Sequence, residues 1–483
     1  MSVAFAFSAQ PLEPRTDWLA LVAGLATRPG FWWLDSALAV PPLGRFSFAG
    51  ADPFCALRVR GEHHERETTR AAWPLGAGSS AGDPFAALRA LLPARSAPIA
   101  CADAAATPLP FVGGLVTALG YELGARLEDV PDARDAAPLR FADALALGVD
   151  RLYAFDHLAS RAFAVALCAR ESELAAQRAA RDSAAALAAC APRGEWRAPA
   201  EPWQAVRSAA ELQRGLDPSE HAKAVDEILA RIAAGELYQA CLTHRVEAEF
   251  SGDAFAYYRA LRAANPAPFG AFIALPEGAI ACSSPERFLR CGAGGWLETR
   301  PIKGTRPRRA DAAADRGEAA ELRASEKDRA ENLMIVDLAR NDLGRVCELG
   351  SVHVPELFAV ESYAAVHQLV STVRGRLASG RDALDAIRAA FPPGSMTGAP
   401  KIAAMRLLAQ LERARRGLYA GALGYLDARG GCDLAVVIRT AFLAGGRFAL
   451  HTGGGIVAGS LPRAEWDEAE AKAAALISAL ESS

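Results

Sequence analysis

The chain reads as an α+β protein built on large antiparallel β-sheets that form a sandwich flanked by helices. Two observations carry that expectation: extended runs succeed one another through tight turns instead of a strict strand–helix–strand alternation, and helical patterns intervene between groups of them. In the second half the extended runs are Tyr238 to Phe250, Phe269 to Leu275, Ala279 to Leu289, Tyr419 to Asp427 and Leu434 to Leu443. Gly445-Gly446 joins the last of these to Arg447–Thr452, the two-residue spacing of a hairpin.

Taken in order, the uncharged stretch Ala104 to Tyr121 is interrupted by Pro108, Pro110, Gly113 and Gly114, and reads as buried strand and turn, too broken for a membrane span. An Ala/Arg-rich helical pattern runs from about Glu171 to Ala189. The aperiodic segment Cys190 to Pro218 then marks the main internal boundary, between an N-terminal region 1–195 and a second region 215–483, both interleaved in one globular unit. Asp217 as N-cap and Pro218 at the first position open a helix that presents Val225, Ile228, Leu229 and Ile232 on one face and stops at Gly235. Further helical patterns lie at Ser325 to Arg340, Ala383 to Phe391, Lys401 to Ala414 and Arg463 to Leu480. No internal repeat is present.

Composition narrows the function. The chain has 483 residues, of which 51% are hydrophobic, ample for an extensive core, and a net charge of −3. That balance gives no global cationic field, so neither nucleic acid nor an anionic membrane is expected as a partner. The nine cysteines include no C-x-x-C pair, which suits reduced thiols in a cytoplasm and leaves a zinc site unsupported. The opening MSVAFAFSAQPLEPR lacks the basic leader and apolar core of a signal peptide.

Chemistry concentrates in the second half. Lys303 lies in RPIKGTRPRR, where neighbouring guanidinium groups are expected to depress its pKa and favour a nucleophilic amine; the bland alternative is a solvated basic face. Asp328 and Glu331 stand at i and i+3 on one helix face, although Ser325 and Asp328 also fit a helix cap. Glu465 and Glu468 repeat that spacing, with Lys472 one turn on, and read alone they form a charged outer face. Brought together, the two helices would offer hard oxygen ligands suited to Mg²⁺.

The run HTGGGIVA mimics a G-x-G-x-x-A fingerprint through Gly453, Gly455 and Ala458, but it follows a hairpin strand and no βαβ unit, so dinucleotide binding is rejected. A glycine turn at Gly453, Gly454 and Gly455 could instead point backbone N–H groups at one carboxylate, with Arg439 forking onto another. FPPGSMTGAPK fails the phosphate-loop pattern because Ala399-Pro400 precedes Lys401; Gly398 reads as a turn opening the next helix. His367, in an apolar run, is either a proton-transfer group or a satisfied core residue.

The ordered set SSPERFL, RPIKGTRPR, AENLMIVDLARNDLGRV, AVHQLVSTV, FPPGSMTGAPK, YAGALGY, VVIRT and GGGIVAG followed by AEWDE resembles the chorismate-utilising enzymes of the anthranilate synthase component I type. The likeness is strong over roughly residues 215 to 480. Weaker echoes, FWWLDS, GRFSFAGADPF and PFVGGLVTALGYELG, continue into the first half. The resemblance is narrowest to the aminodeoxychorismate synthase branch: Gln239 stands where water-adding relatives carry a lysine base, and Lys303 stands where anthranilate synthases carry a small residue.

What the resemblance implies can be stated residue by residue. Glu331 and Glu468 resemble the Mg²⁺ ligands, with Asp328 and Glu465 as their partners. Arg439, Tyr425, Lys472 and Gly453 to Gly455 resemble substrate carboxylate contacts, and Thr397 and Gly398 line the pocket in relatives. Glu286 resembles a general acid, His367 the histidine near the departing group, and Thr305 falls in the same PIKGT motif as Lys303. The implied reaction is amination of chorismate at C4 with ammonia from a separate glutamine amidotransferase subunit. Rival readings are an anthranilate synthase component I or a chorismate- or tryptophan-binding regulatory subunit, since FWWLDS resembles part of a tryptophan pocket. Cys241, Pro393 and Gly459 depart from the family pattern without removing a metal ligand or the nucleophile.

Overall fold

A computed structural model describes residues 3–14, 16–39, 43–73, 75, 82–95, 97–103, 109–128, 130–131, 139, 141–192, 211–363 and 366–481. The expected boundary segment lies partly outside them, at 193–210. One sheet runs, in hydrogen-bonded order, through Gln213–Arg214, Gln239–Glu249, Arg447–Ile456, Thr440–Ala444, Gly278–Ser284, Phe269–Leu275, Trp32–Asp35, Phe46–Gly50, Arg151–Asp156, Arg161–Arg170, Ala4–Pro11 and Ile99–Cys101. The other runs through Ile302–Pro307, Val366–Arg376, Trp296–Thr299, Arg287–Cys291, Cys432–Val436, Ala422–Asp427, Gly114–Leu119, Ala144–Val149, Cys55–Arg60 and His63–Thr68. Every pairing among the described residues is antiparallel except Ala4–Pro11 with Ile99–Cys101. Both sheets draw strands from the first and the second half of the chain.

Helix ends follow their caps. Asp217 accepts from Ser219 and Glu220 backbone N–H groups, and Glu220 reaches back to the Asp217 N–H, so the helix Pro218–Ala233 begins with a complete capping box. Its buried face, Val225 and Ile228, packs with Leu242 and Leu408. The Gly445-Gly446 hairpin forms with both glycines at positive φ, 57° and 74°, as its two-residue turn requires.

Two of the extended runs are each broken in a way that matters for the site. Ala279 to Leu289 is not one strand: Gly278–Ser284 belongs to the first sheet and Arg287–Cys291 to the second, because Pro285 cannot donate to a ladder and the chain crosses there. Leu434 to Leu443 likewise splits into Cys432–Val436 and Thr440–Ala444, with Arg439 at φ 49° in the crossing. The two crossings lie side by side: Val436 N–H donates to the Glu286 carbonyl at 3.0 Å, and Ser283 N–H to the Arg439 carbonyl at 3.0 Å. Glu286 and Arg439 are thereby delivered to the seam between the sheets.

One apolar core spans that seam, combining Trp32, Phe48 and Ile280 of the first sheet with Val116, Leu147 and Leu434 of the second. Phe111, fully buried, stacks on Tyr425 at 4.7 Å and meets Phe48 edge-on at 5.5 Å and Trp32 at 6.3 Å. All nine cysteines are free, and among the described residues no helix is long and apolar enough to cross a membrane. Phe111→Ala removes the ring that ties the two sheets together, and is expected to lower stability by ~3–5 kcal/mol, read as a fall in the denaturant midpoint.

Candidate active site

Gly453, Gly454 and Gly455 are strand, not turn. They lie in Arg447–Ile456, opposite Thr243, Leu242 and Cys241 of the neighbouring strand, and none has a left-handed φ. The anion-binding turn expected from the sequence is therefore absent, because a continuous ladder engages this backbone. What the glycines supply is room. A side chain at Gly455 would collide with the Glu331 carboxylate and stand 2.7 Å from Gln239 Nε2 and 3.0 Å from Lys303 Nζ. One at Gly454 would stand 3.3 Å from Glu465 Oε2, 3.6 Å from Lys472 Nζ and 3.9 Å from Glu468 Oε1. Residues as far apart in the chain as Gln239 and Lys472 thus converge on two glycines.

Lys303 enters from the strand Ile302–Pro307 and places Nζ 2.8 Å from Glu331 Oε1. Burial pulls its pKa down, but Glu331 more than offsets this and lifts the ammonium to about 12. The depressed pKa expected from the arginine-rich motif is overturned, because those arginines turn away onto carboxylates: Arg300 onto Glu361, Arg306 onto Glu321 and Asp328, Arg308 onto Asp315, and Arg309 onto Glu318. Gly304, at φ 87°, breaks the strand's alternation beside Lys303, and Thr305 consequently ends exposed.

The acidic helix faces divide. Glu331, on Glu326–Gly344, is buried against the glycine strand. Glu468, on Pro462–Glu481, pairs with Lys472 at 2.7 Å, and Lys472 also donates to the Gly453 carbonyl at 2.9 Å. Burial pushes Glu468 up, but Lys472, Lys327 and Lys303 hold it below the usual carboxylate range. Glu465 is raised by burial and by Glu468. Asp328 is bound to Arg306 at 2.9 Å, and its backbone N–H donates to Ser325 Oγ at 3.3 Å, the helix cap that the sequence left open as its alternative.

This donor set fits a hard dication in part. Glu331, Glu468 and Glu465 flank the glycine cradle, while Asp328 is already taken by Arg306. Among the described residues no three Asp, Glu, His or Cys side chains form a ready-made metal cluster. Such an arrangement suits Mg²⁺, which is held by one or two carboxylates while keeping waters and taking oxygens from a substrate.

Beyond the cradle, Glu286 is buried, and desolvation raises its carboxyl to about 7 against the opposing pull of Ser395 and Lys303. Gln239 is fully buried, and among the described residues neither its amide nitrogen nor its amide oxygen has a hydrogen-bond partner. Such an orphan at the cradle marks a place for a polar ligand. Arg439 is desolvated, which lowers its pKa from the usual value, and among the described residues its guanidinium has no carboxylate or carbonyl partner. A charged fork left unpaired beside the seam has the chemistry to pair with a carboxylate. Thr397 donates to the Gly394 carbonyl at 3.1 Å, and Gly398 passes so close to the Gln239 backbone that a side chain there would strike the Gln239 carbonyl.

Two expected members lie elsewhere. Tyr425 lines a separate cavity of about 640 Å³ with Leu34, Asp35, Ser36, Phe46 and Asp433, so its place among the substrate contacts is corrected. Tyr419, six residues earlier, faces Arg439 electrostatically and stacks on His451 at 5.2 Å; the motif YAGALGY offers two tyrosines and nothing in its spacing selects the first. His367 is nearly fully buried, with Nδ1 2.8 Å from Ser362 Oγ and Nε2 3.0 Å from Asp315 Oδ1, so both ring nitrogens are engaged away from Lys303. Also missed in the sequence were Ser395 beside Glu286 and the buried pair Arg416–Glu412; a serine in a loop and an i, i+4 ion pair carry no distinctive pattern.

The family model for chorismate binding enzymes matches residues 56–478. An aminodeoxychorismate synthase of Streptomyces pristinaespiralis is 42% identical over 95% of this chain, which spans only 63% of that relative's length. Component 1 of the aminodeoxychorismate synthase of Salmonella typhimurium is 40% identical over 90% of this chain and 89% of its own. The crystal structure of anthranilate synthase component I from Streptococcus pneumoniae superposes with a TM-score of 0.73 at 28% identity, covering 91% of this chain and 93% of that one. The chain belongs to the chorismate binding enzyme family.

If the glycine cradle is where ligand and carboxylates meet, Gly455→Ala should weaken chorismate binding by about tenfold or more, ~1.4 kcal/mol. Isothermal titration checks this, with the thermal unfolding midpoint expected to stay within a few degrees of the parent.

Proposed function

We propose that this chain aminates chorismate at C4 to give 4-amino-4-deoxychorismate, toward para-aminobenzoate and folate, using Mg²⁺ and ammonia delivered by a separate glutamine amidotransferase subunit. The observation that carries the reading is the convergence of Lys303, Glu331 and Gln239 on Gly455, with Glu468 at the adjacent glycine. The relatives named aminodeoxychorismate synthase support it.

In this reading Glu331 and Glu468 would hold Mg²⁺, with Glu465 behind them, and Arg439 and Tyr419 receive a substrate carboxylate. Bound there, Mg²⁺ would supply Lewis-acid stabilisation of negative charge on the ring carboxylate and the leaving oxygen. Once Glu331 is engaged elsewhere, burial destabilises the Lys303 ammonium, which gives one proton to solvent water and becomes the free amine. Its Nζ bonds to C2 while the C4–O bond breaks, the ring double bonds shift, and Glu286 gives its proton to the departing hydroxyl, which leaves as water. Ammonia then bonds to C4 and the C2–N bond breaks, returning Lys303 as an amine. The new ammonium gives one proton back to Glu286, which closes the cycle. Gln239 has no basic nitrogen with which to activate water, so it leaves ammonia as the nucleophile.

A second reading, anthranilate formation, is separated by product analysis. Lys303→Ala, incubated with chorismate, Mg²⁺ and ammonium, should lower formation of 4-amino-4-deoxychorismate by roughly 100-fold or more. Residual turnover should drift toward anthranilate; unchanged rate and product by liquid chromatography would remove the covalent step.

A further inference from the structure

The loop 391–400 joins the helices Ala383–Ala390 and Lys401–Leu411 and is almost wholly buried, with Phe391, Ser395, Met396 and Thr397 all inside. Buried backbone outside regular structure needs partners for its carbonyls. Two buried cations provide them. Lys401 Nζ uses all three of its protons, on Asp342 Oδ2 at 2.8 Å, the Ala390 carbonyl at 3.0 Å and the Pro392 carbonyl at 3.2 Å. Arg416 donates to the Met396 carbonyl at 2.6 Å, to the Cys241 carbonyl at 2.8 Å, and with two nitrogens to Glu412 at 2.6 and 2.8 Å. Glu412 Oε1 also accepts the Thr243 N–H at 2.8 Å.

The two anchors belong to different parts of the scaffold. Asp342 lies on the helix that carries Glu331; Cys241 and Thr243 lie on the strand that begins with Gln239. Between the anchored carbonyls of Pro392 and Met396 sits Ser395, which lines the same small cavity as Glu286 and opposes the effect of burial on its carboxyl. Neither Lys401 nor Arg416 touches the glycine cradle.

We propose that Ser395 is a positioning residue for the Glu286 carboxyl, and that the buried pairs Lys401–Asp342 and Arg416–Glu412 are the two rivets that hold the loop so that Ser395 meets it. This rests on the reading of Glu286 as a proton donor. The charged groups facing Glu286 are Lys303, paired with Glu331, and Asp342, paired with Lys401, which lines the same small cavity; neighbouring Arg287 is consumed by Glu298 and Asp433. A serine hydroxyl donating to the carboxylate stabilises the charged form, so its loss raises the Glu286 pKa from about 7. A proton donor works only while protonated, so activity falls as pH rises through that value, and the alkaline limb should move upward in Ser395→Ala.

The test is an infrared titration of the Glu286 carboxyl, identified by subtraction of Glu286→Gln, alongside chorismate consumption against pH. Ser395→Ala should raise both midpoints by about half a pH unit or more, and Ser395→Thr, which keeps the hydroxyl, should restore them. Lys401→Gln, made together with Asp342→Asn so that no carboxylate is stranded in the same cavity, should move the midpoints upward in the parent but add nothing to Ser395→Ala, because it acts through Ser395. Superimposed titrations of parent and Ser395→Ala would overturn the assignment, and additive shifts would overturn the role of Lys401. The serine variants decide the matter if Lys401→Gln does not fold. An infrared shift in a protein that leaves chorismate untouched would uphold the Ser395 contact and remove the proposed reaction instead.

Discussion

Everything around the site depends on a strand that carries no side chains where three other elements must approach it. At Gly454 and Gly455 the ladder with Gln239–Glu249 stays intact while carboxylates from two helices and an amine from the other sheet come into the space that side chains there would need. Any larger residue would choose between the strand pairing and that approach. The sheet therefore acts as a rigid wall with a recess in it, and rigid elements hold catalytic groups more closely than loops do.

The recess is charged but nearly balanced. Lys303 faces Glu331, Lys472 faces Glu468 and Arg306 faces Asp328, so each buried or half-buried charge has a counterpart. Removing one partner of a buried pair costs roughly 3–5 kcal/mol because the other is stranded. Arg439 departs from this balance, as does Gln239 among the neutral groups, since neither has a partner among the described residues. The positive φ of Arg439 adds backbone strain at the same place. Unpaired polarity together with strain is what a binding site retains for its ligand, and both residues sit where the proposed reading needs carboxylate recognition and exclusion of water chemistry.

The fold class was legible because alternating runs and glycine turns are local properties, and the Asp217 cap and the Gly445-Gly446 hairpin formed as their residues dictate. The crossings between sheets were not legible. Pro285 and Arg439 interrupt continuous apolar runs, and hydrophobicity alone does not say that a strand changes sheets. For the site, residue types and the family motifs together singled out Lys303, Glu331 and Glu468, which the structure brings to two adjacent glycines, but not their electrostatics. The arginines around Lys303 are neighbours in sequence and not in space, since Arg306, Arg308 and Arg309 turn to the helix Ala312–Ala324 and Arg300 to Glu361 while Lys303 meets Glu331. Tyr425 and Tyr419 differ only by the side of the chain they occupy, which tertiary packing decides.

On the proposed reading, Glu331 exchanges Lys303 for a cation when substrate binds. The most direct measurement is a crystal structure with Mn²⁺ in place of Mg²⁺ and an unreactive chorismate analogue, with the metal located by anomalous scattering. The expected result is Mn²⁺ on Glu331 and Glu468, Lys303 Nζ withdrawn from Glu331, and a ligand carboxylate on Arg439. Mn²⁺ elsewhere, or an intact Lys303–Glu331 pair beside a bound analogue, would contradict it.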